Sequence, residues 1–185
     1  MSGADRAELG RRLLDRAYLE GDFLLRSGRR SRYYLDKYRF ETEPALLAGL
    51  GREIAALQRE HAPEAELLAG PELGAVPLAA ATSMEAGLPF VIVRKAAKDY
   101  GTANRLEGVY AAGQRVCVVE DVVTSGGALL DAVAALREAE LDVCAAICVV
   151  DREEGGAEAI AAAGVAFHPL FTSSDLGVGS ATQSA

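Results

Sequence analysis

Short, continuously apolar segments alternate along this chain with longer segments that have the spacing of amphipathic helices. The apolar segments lack the in-out alternation of a half-exposed strand, so they predict strands that are covered on both faces. Strands that alternate with helices form a parallel sheet with helices on both sides, and we therefore predict an α/β fold. The predicted strands are 66–69, 89–93, 115–120, 143–150 and 165–171, and the helices between them are 75–87, 127–140 and 156–163.

The first sixty residues follow a different pattern. Residues 4–20 predict a helix in which charges alternate with Leu and Ala, without the apolar core of a signal peptide. Residues 23–36, FLLRSGRRSRYYLD, place two short apolar or aromatic runs around a Ser-Gly turn, which is typical of a hairpin. Residues 41–60 predict a second helix that Thr42 or Glu43 can cap.

Composition limits the classes of partner. The formal net charge of −8 argues against a broad basic face for nucleic acid, and no apolar run reaches the length of a membrane span. We therefore expect neither nucleic acid nor membrane as a partner. The three cysteines form no CxxC motif, which favours buried thiols in a reducing cytoplasm over disulfides or a zinc site. A length of 185 residues predicts one domain, 1–185.

The segment 116–130, VCVVEDVVTSGGALL, carries polar residues that suit ligand binding between a predicted strand and a predicted helix. It places Glu120 and Asp121 at the carboxyl end of a predicted strand, where ligands bind in open parallel sheets. Residues 124–127, Thr-Ser-Gly-Gly, then open a helix whose free N–H groups suit a phosphate. Two acids would repel that phosphate, so they must face sugar hydroxyls or a metal ion. Together these features predict a ribose 5-phosphate ligand.

The whole segment 116–128 indicates a ligand site more specifically than Thr-Ser-Gly-Gly does alone. Alone, Thr-Ser-Gly-Gly also fits a serine-capped turn between a strand and a helix, and it matches neither a Walker loop nor GxGxxG. Residues 116–128 as a whole resemble the motif with which type I phosphoribosyltransferases bind 5-phosphoribosyl 1-diphosphate (PRPP). The resemblance implies that the acids hold the ribose hydroxyls and that 124–127 wraps the 5-phosphate. The implied PRPP-binding residues here are Glu120, Asp121, Val122, Val123, Thr124, Ser125, Gly126, Gly127 and Ala128.

Two further segments resemble the orotate-specific branch of that family. The segment 23–36 resembles its N-terminal signature, part of a small hood over the base at about residues 20–40. The segment VVDREEGG resembles the one whose arginine grips the orotate carboxylate. Read from the residues alone, each also fits an ordinary charged hairpin or turn. The orotate-binding residues that the resemblance implies are Arg26, Tyr34, Thr124 and Arg152.

Residues 94–108 carry Arg94, Lys95 and Lys98 directly after a predicted strand. They resemble the flexible catalytic loop of the same enzymes, which implies that the three cations bind PRPP and its leaving diphosphate. A lone basic cluster is otherwise an ordinary solvated loop. Many relatives have histidine where this chain has Tyr100, so an imidazole role at that position is absent.

One segment departs from the family pattern. Residues 70–79 occupy the position of the pyrophosphate loop, and some relatives carry a Tyr-Lys pair where this chain has Leu73-Gly74. Help for diphosphate binding must then come from elsewhere, and the backbone N–H groups of 72–75 are candidates. The tail 177–185 is small and polar and is expected to fray.

The resemblance implies the type I phosphoribosyltransferase fold, a parallel sheet flanked by helices with an N-terminal hood. It implies transfer of the phosphoribosyl group of PRPP to orotate, with Lys98 and Asp121 as catalytic residues. Mg²⁺ is the implied cofactor, held mainly by PRPP near Glu120 and Asp121. The implied partners are orotate, PRPP and a second copy of the chain that shares the catalytic loop. A PRPP-sensing regulator and an enzyme for another base such as xanthine remain as alternatives.

Overall fold

The structure is a computed structural model that describes residues 3–24, 30–95 and 105–178. Its central sheet has six strands in the order β5-β4-β3-β6-β7-β8, and a two-stranded antiparallel sheet, β1-β2, lies beside it. The strands of the central sheet are β3 (Leu67–Pro71), β4 (Phe90–Val93), β5 (Leu106–Glu107), β6 (Arg115–Val123), β7 (Asp142–Asp151) and β8 (Ala166–Thr172). All neighbouring pairs are parallel except β4-β5, so the predicted α/β fold is confirmed.

Helices cover both faces of the sheet, which explains why its strands are continuously apolar. The helices are α1 (Gly3–Ala17), α2 (Lys37–Glu41), α3 (Pro44–His61), α4 (Ala75–Ala86), α5 (Gly127–Glu138) and α6 (Gly156–Ala162). One core joins α1, α3 and α4 to the face of β6 that carries Cys117 and Val119. The other joins α5 and α6 to the face that carries Val116 and Val118. Successive residues of β6 therefore enter opposite cores.

The segment predicted as the hood, about residues 20–40, contains a two-stranded hairpin that follows α1. Strands β1 (Tyr18–Leu24) and β2 (Arg30–Leu35) pair antiparallel, with Tyr18 opposite Leu35, which confirms the predicted hairpin. The predicted first helix was too long, because residues 18–20 belong to β1. There Tyr18 stacks on Tyr33 of β2, and this tertiary contact overrides the helical pattern. Of the predicted turn 27–30, Arg30 begins β2, and 27–29 lie outside the described residues.

Two short elements were not predicted from the sequence. The five-residue helix α2 follows the hairpin, and β5 pairs with the end of β4 within the segment predicted as the catalytic loop. Both are too short to carry a periodic pattern. The predicted cap of α3 is confirmed at Glu43, whose carboxylate accepts from the N–H groups of Ala45 and Leu46. Thr42 instead donates its hydroxyl to the carbonyl of Tyr38 and closes α2.

The described parts of the chain contain no helix long and apolar enough to cross a membrane. Cys117, Cys144 and Cys148 are free thiols on β6 and β7. The chain after β8 turns back on itself, since the N–H of Val178 donates to the carbonyl of Ser173. The predicted frayed tail beyond residue 178 lies outside the described residues.

Candidate active site

A cavity of about 630 Å³ lies at the carboxyl ends of β3, β4 and β6, where the sequence places the phosphate motif. Its volume is in the range of small-molecule sites. Residues of β3, β4, β6, α5 and the loops next to them form its wall. They are Pro71, Glu72, Val93, Arg94, Lys95, Arg105, Glu120, Val122, Val123, Thr124, Ser125, Gly126, Gly127, Ala128, Leu129, Asp131 and Ala132. The structure thus brings together most of the predicted PRPP-binding residues, and Asp121 is the exception within the motif.

The loop 124–126 leads directly into α5. Gly126 caps the helix with a φ of 79°, a left-handed conformation that glycine adopts without strain. Because α5 starts at Gly127, the first N–H groups of the helix have no intrahelical acceptor and are available to an anion. Two basic side chains at the end of β4, Arg94 and Lys95, line the same cavity. This arrangement suits a phosphate or diphosphate ligand.

Gly156 supports the phosphate loop from the neighbouring strand connection, a role that the sequence did not predict. A Cβ at this position would collide with Val123 Cγ1 and lie 2.5 Å from the carbonyl oxygen of Thr124. Only a glycine therefore lets the start of α6 pack against the loop. The Gly155-Gly156 pair was visible in the sequence, but which backbone it approaches is a property of the fold.

Glu120 and Asp121 lie within β6 and not at its end, which corrects the predicted strand boundary. The strand continues to Val123 because its backbone stays paired with β7 as far as Asp151. Neighbouring residues of a strand point to opposite faces, so the two carboxylates diverge. Glu120 lines the cavity, whereas Asp121 faces the side of the sheet that carries α2 and α4. The prediction that both acids touch the ribose remains a prediction.

The Glu120 carboxyl is buried, and only one of its two oxygens accepts a hydrogen bond from the described residues. Its Oε1 accepts from the N–H of Asp121 at 3.0 Å, and its Oε2 has no hydrogen-bond partner among the described residues. Burial, together with the negative charge of Asp121, raises the pKa of Glu120 to about 8. A buried acceptor at the wall of a cavity is ready for a hydroxyl donor or a cation from a ligand.

Asp121 is 2 % exposed and both of its oxygens are bound. Oδ1 accepts from the N–H of Val122 at 2.5 Å, and Oδ2 accepts from the ammonium of Lys37 at 2.6 Å. Glu41 lies on the other side of this carboxylate, buried, and neither of its oxygens has a partner among the described residues. Burial and the charge of Asp121 raise the pKa of Glu41 to about 8. Lys37 and Glu41 were not predicted as site residues, because the short helix α2 was not predicted.

Glu41→Gln should stabilise the protein increasingly as the pH rises. The folded-state pKa of Glu41 is raised, so its contribution to stability is complete below about pH 4.5 and is lost as the pH rises through 8. A glutamine at this position does not ionise, so the variant does not lose stability in this way. Between pH 6 and pH 9 the stability of the variant relative to wild type should increase by about 1–3 kcal/mol, measured by denaturant unfolding. The exposed Glu85→Gln is the control, and an equal change in both variants would contradict the burial of a neutral Glu41.

Arg94 and Lys95 are held at the cavity mouth by Glu72. Its Oε1 accepts from the N–H of Lys95 at 2.7 Å, and its Oε2 lies 3.7 Å from Nε of Arg94. Arg105, where the chain returns to the sheet, pairs with Asp131 of α5 at 2.5 Å. The base of the predicted catalytic loop is thus anchored at both ends. Lys98, Tyr100 and the rest of 96–104 lie outside the described residues.

Arg152 follows β7 directly and faces the hood. Its guanidinium is 3.0 Å from the hydroxyl of Tyr33, 5.0 Å from the centre of that ring and 3.0 Å from the carboxylate of Glu154. The side chain is only 10 % exposed, and its Nε has no partner among the described residues. A buried guanidinium with an unused donor next to an aromatic ring suits a flat ligand that carries a carboxylate.

The hood side chain that contacts Arg152 is Tyr33, the neighbour of the predicted Tyr34. Alternation along β2 sends Tyr34 to the other face, where it lies against Phe23 at 5.6 Å between ring centres. Tyr34 is 40 % exposed in this arrangement. Its contact with orotate remains a prediction. The same holds for Arg26, which lies outside the described residues.

The loop Glu72–Ala75 carries no basic side chain, as the sequence shows. Leu73 is exposed, and a Cβ at Gly74 would collide with Asp121 Oδ2 and lie 2.8 Å from Glu41 Oε1. A larger residue at position 74 therefore does not fit beside the acidic side chains of β6 and α2. The departure from the Tyr-Lys pair of some relatives is built into the packing of this protein.

Comparisons with known proteins agree with this geometry. The family model for the phosphoribosyl transferase domain matches residues 39–167. The chain is 53 % identical to the orotate phosphoribosyltransferase of Halobacterium salinarum and 51 % identical to that of Methanocella arvoryzae, in each case over 84 % of this chain and 87 % of the relative.

Solved structures show the same relationship. A crystal structure of Mycobacterium tuberculosis orotate phosphoribosyltransferase in complex with Fe(III) dicitrate superposes with a TM-score of 0.84 at 36 % identity, covering 94 % of this chain and 99 % of that one. The same enzyme in complex with PRPP gives a TM-score of 0.80 at 34 % identity with the same coverage. The sequence relatives and the fold lead to one family, and this chain belongs to the orotate phosphoribosyltransferases.

Proposed function

We propose that this protein transfers the phosphoribosyl group of PRPP to orotate, giving orotidine 5′-monophosphate and diphosphate in pyrimidine nucleotide synthesis. The observation that carries the proposal is the position of Arg152. Its buried guanidinium follows the end of β7, the strand next to β6, and the N–H of Arg152 donates to the carbonyl of Val123 at 2.8 Å. A carboxylate on the base and a phosphate on the sugar are thereby recognised from adjacent strand ends.

In this reaction the bond between the anomeric carbon and the diphosphate oxygen breaks, and a bond to a ring nitrogen of orotate forms while that nitrogen loses its proton to the departing diphosphate or to water. Positive charge grows on the sugar and negative charge on the leaving group, as in glycosyl transfer. The chain supplies binding, orientation and charge, and none of its side chains needs to act as a nucleophile. Glu120 faces the sugar, the start of α5 binds the 5-phosphate, and Arg94 and Lys95 face the departing diphosphate.

Mg²⁺ is the proposed cofactor. Among the described residues there is no group of three or more metal-binding side chains, which fits an ion that keeps most of its bonds to diphosphate and water. Glu120 is the residue that would hold it, because its buried Oε2 lacks a partner among the described residues and lies at the cavity wall. When bound, the ion neutralises charge on the diphosphate.

The proposed assembly is a homodimer in which the segment 94–108 of one subunit serves the active site of the other. Its described ends are anchored next to the cavity by Glu72 and Asp131. Lys98 lies between these ends and is the proposed catalytic cation of the loop. The proposed location is the cytoplasm, which suits the free thiols of β6 and β7.

A base panel tests the proposal. The purified protein is incubated with PRPP, Mg²⁺ and each of orotate, uracil, xanthine, hypoxanthine and adenine, and diphosphate release is followed. We expect release with orotate and little with the other bases. Preferred release with a purine would overturn the proposed substrate, and PRPP binding without release for any base would favour a regulator.

A further inference from the structure

Lys37 connects the hood to the acidic end of β6. It is the first residue of α2, and its ammonium donates to Asp121 Oδ2 at 2.6 Å, across 84 positions of sequence. With Glu41, Glu120 and Asp121 it forms what we call the strand-end cluster, one ammonium among three carboxyl groups. The side chain of Lys37 is 32 % exposed, whereas that of Asp121 is 3 % exposed. The ammonium therefore lies between the buried acids and the solvent.

The carboxylate of Asp121 depends on this contact for its position. Its Oδ1 is fixed by the N–H of Val122, so the direction of the side chain is decided by what binds Oδ2. Among the described residues the ammonium of Lys37 donates to that oxygen, and the neighbouring carboxyl groups of Glu41 and Glu120 repel it when they are ionised. A buried carboxylate that loses its cation is strongly destabilised and turns toward water or takes up a proton.

The packing around Gly74 shows that the position of Asp121 is critical. A Cβ at Gly74 would strike Asp121 Oδ2 and approach both oxygens of Glu41, so these acids lie directly against the backbone that starts α4. That backbone belongs to the loop 72–75, where diphosphate is expected. A shift of Asp121 toward this loop would place negative charge where a diphosphate must bind.

We propose that Lys37 is a positioning residue for PRPP binding, which acts by holding the Asp121 carboxylate in place beside the loop 72–75. The inference rests on the proposed function, since it assigns a further residue to the same site. Lys37 acts through Asp121, and the charge of the ammonium is what matters. Because α2 directly follows the hood hairpin, the same contact ties the hood to the PRPP motif.

The first test measures PRPP binding by calorimetry with Mg²⁺ and without a base. Lys37→Met should weaken PRPP binding at least tenfold, measured at a temperature at which the variant is folded. Lys37→Arg keeps the charge and should bind within about fivefold of wild type. The matched control is Arg39→Met on the same helix, whose exposed guanidinium pairs only loosely with Asp36 at 3.6 Å and should have no effect on binding.

The second test is a double-mutant cycle with Asp121→Asn. If Lys37 acts through Asp121, its removal should matter little once Asp121 is already changed. The double variant Lys37→Met/Asp121→Asn should then bind PRPP within about threefold of whichever single variant has the lower PRPP affinity. If the loss of PRPP affinity in the double variant equals the product of the two single losses, Lys37 acts independently of Asp121 and the proposal is overturned. Wild-type affinity in Lys37→Met, or an equal loss in Arg39→Met, would overturn it as well.

Folding and function are separated in this design. Should Lys37→Met unfold, Lys37→Gln keeps a hydrogen-bond donor without the charge, and unfolding of both variants would assign Lys37 to the fold and reject the positioning role. A wild-type protein that binds PRPP but leaves orotate unchanged would overturn the proposed substrate. The binding measurements on Lys37 and Asp121 would still decide the present inference.

Discussion

Arg152→Met should lower kcat/KM for orotate by about 30-fold to 5,000-fold, which corresponds to the roughly 2–5 kcal/mol lost when a buried charge loses its partner. The guanidinium of Arg152 is buried against Tyr33 and has an unused Nε donor among the described residues, so it is the group suited to a carboxylate on the base. Steady-state kinetics with orotate varied at saturating PRPP give the measurement. Wild type should also prefer orotate strongly to uracil, which lacks that carboxylate.

The control for this prediction is Arg137→Met. Arg137 is exposed at the end of α5, where its guanidinium donates to the carbonyl of Ala163. Its replacement should leave orotate kinetics unchanged. PRPP affinity should stay within about threefold in Arg152→Met, because the proposed contact of the arginine is with the base and not with the sugar. Equal turnover of uracil and orotate by wild type would contradict the role of Arg152.

Lys98→Ala and Asp121→Asn should each be nearly inactive as homodimers, yet a re-formed mixture of the two should recover about a quarter of wild-type activity. Random assortment makes half of the molecules heterodimers. If the loop acts in the neighbouring subunit, both lesions fall in one active site of the heterodimer and the other site is intact. Activity is measured after denaturation and refolding of an equal mixture, with heterodimers confirmed by mass.

Two controls complete this experiment. Each variant is also refolded alone, and neither should gain activity. A loop that acts within its own subunit would leave one lesion in every site, so the mixture would stay inactive. No recovery in the presence of heterodimers, or a monomer in sedimentation, would contradict the proposed sharing of the loop.

Several elements could be predicted from the sequence because their signals are local. The apolar segments that became β3, β4, β6, β7 and β8 needed only the rule that doubly covered strands are continuously apolar. The cap at Glu43 and the left-handed Gly126 also follow from neighbouring residues. Strand β5 and helix α2 escaped prediction, since two and five residues cannot display a period.

The sequence by itself determined which residues make up the predicted phosphate site, because Glu120, Asp121 and the loop 124–127 are contiguous in the chain. Only the tertiary structure decided how the two acids divide between the faces of β6, with Glu120 at the cavity and Asp121 against Lys37. It also decided that Tyr33, and not Tyr34, contacts Arg152. The physical reason is that a strand's direction and twist fix which side chain faces which neighbour, and those neighbours come from distant parts of the chain.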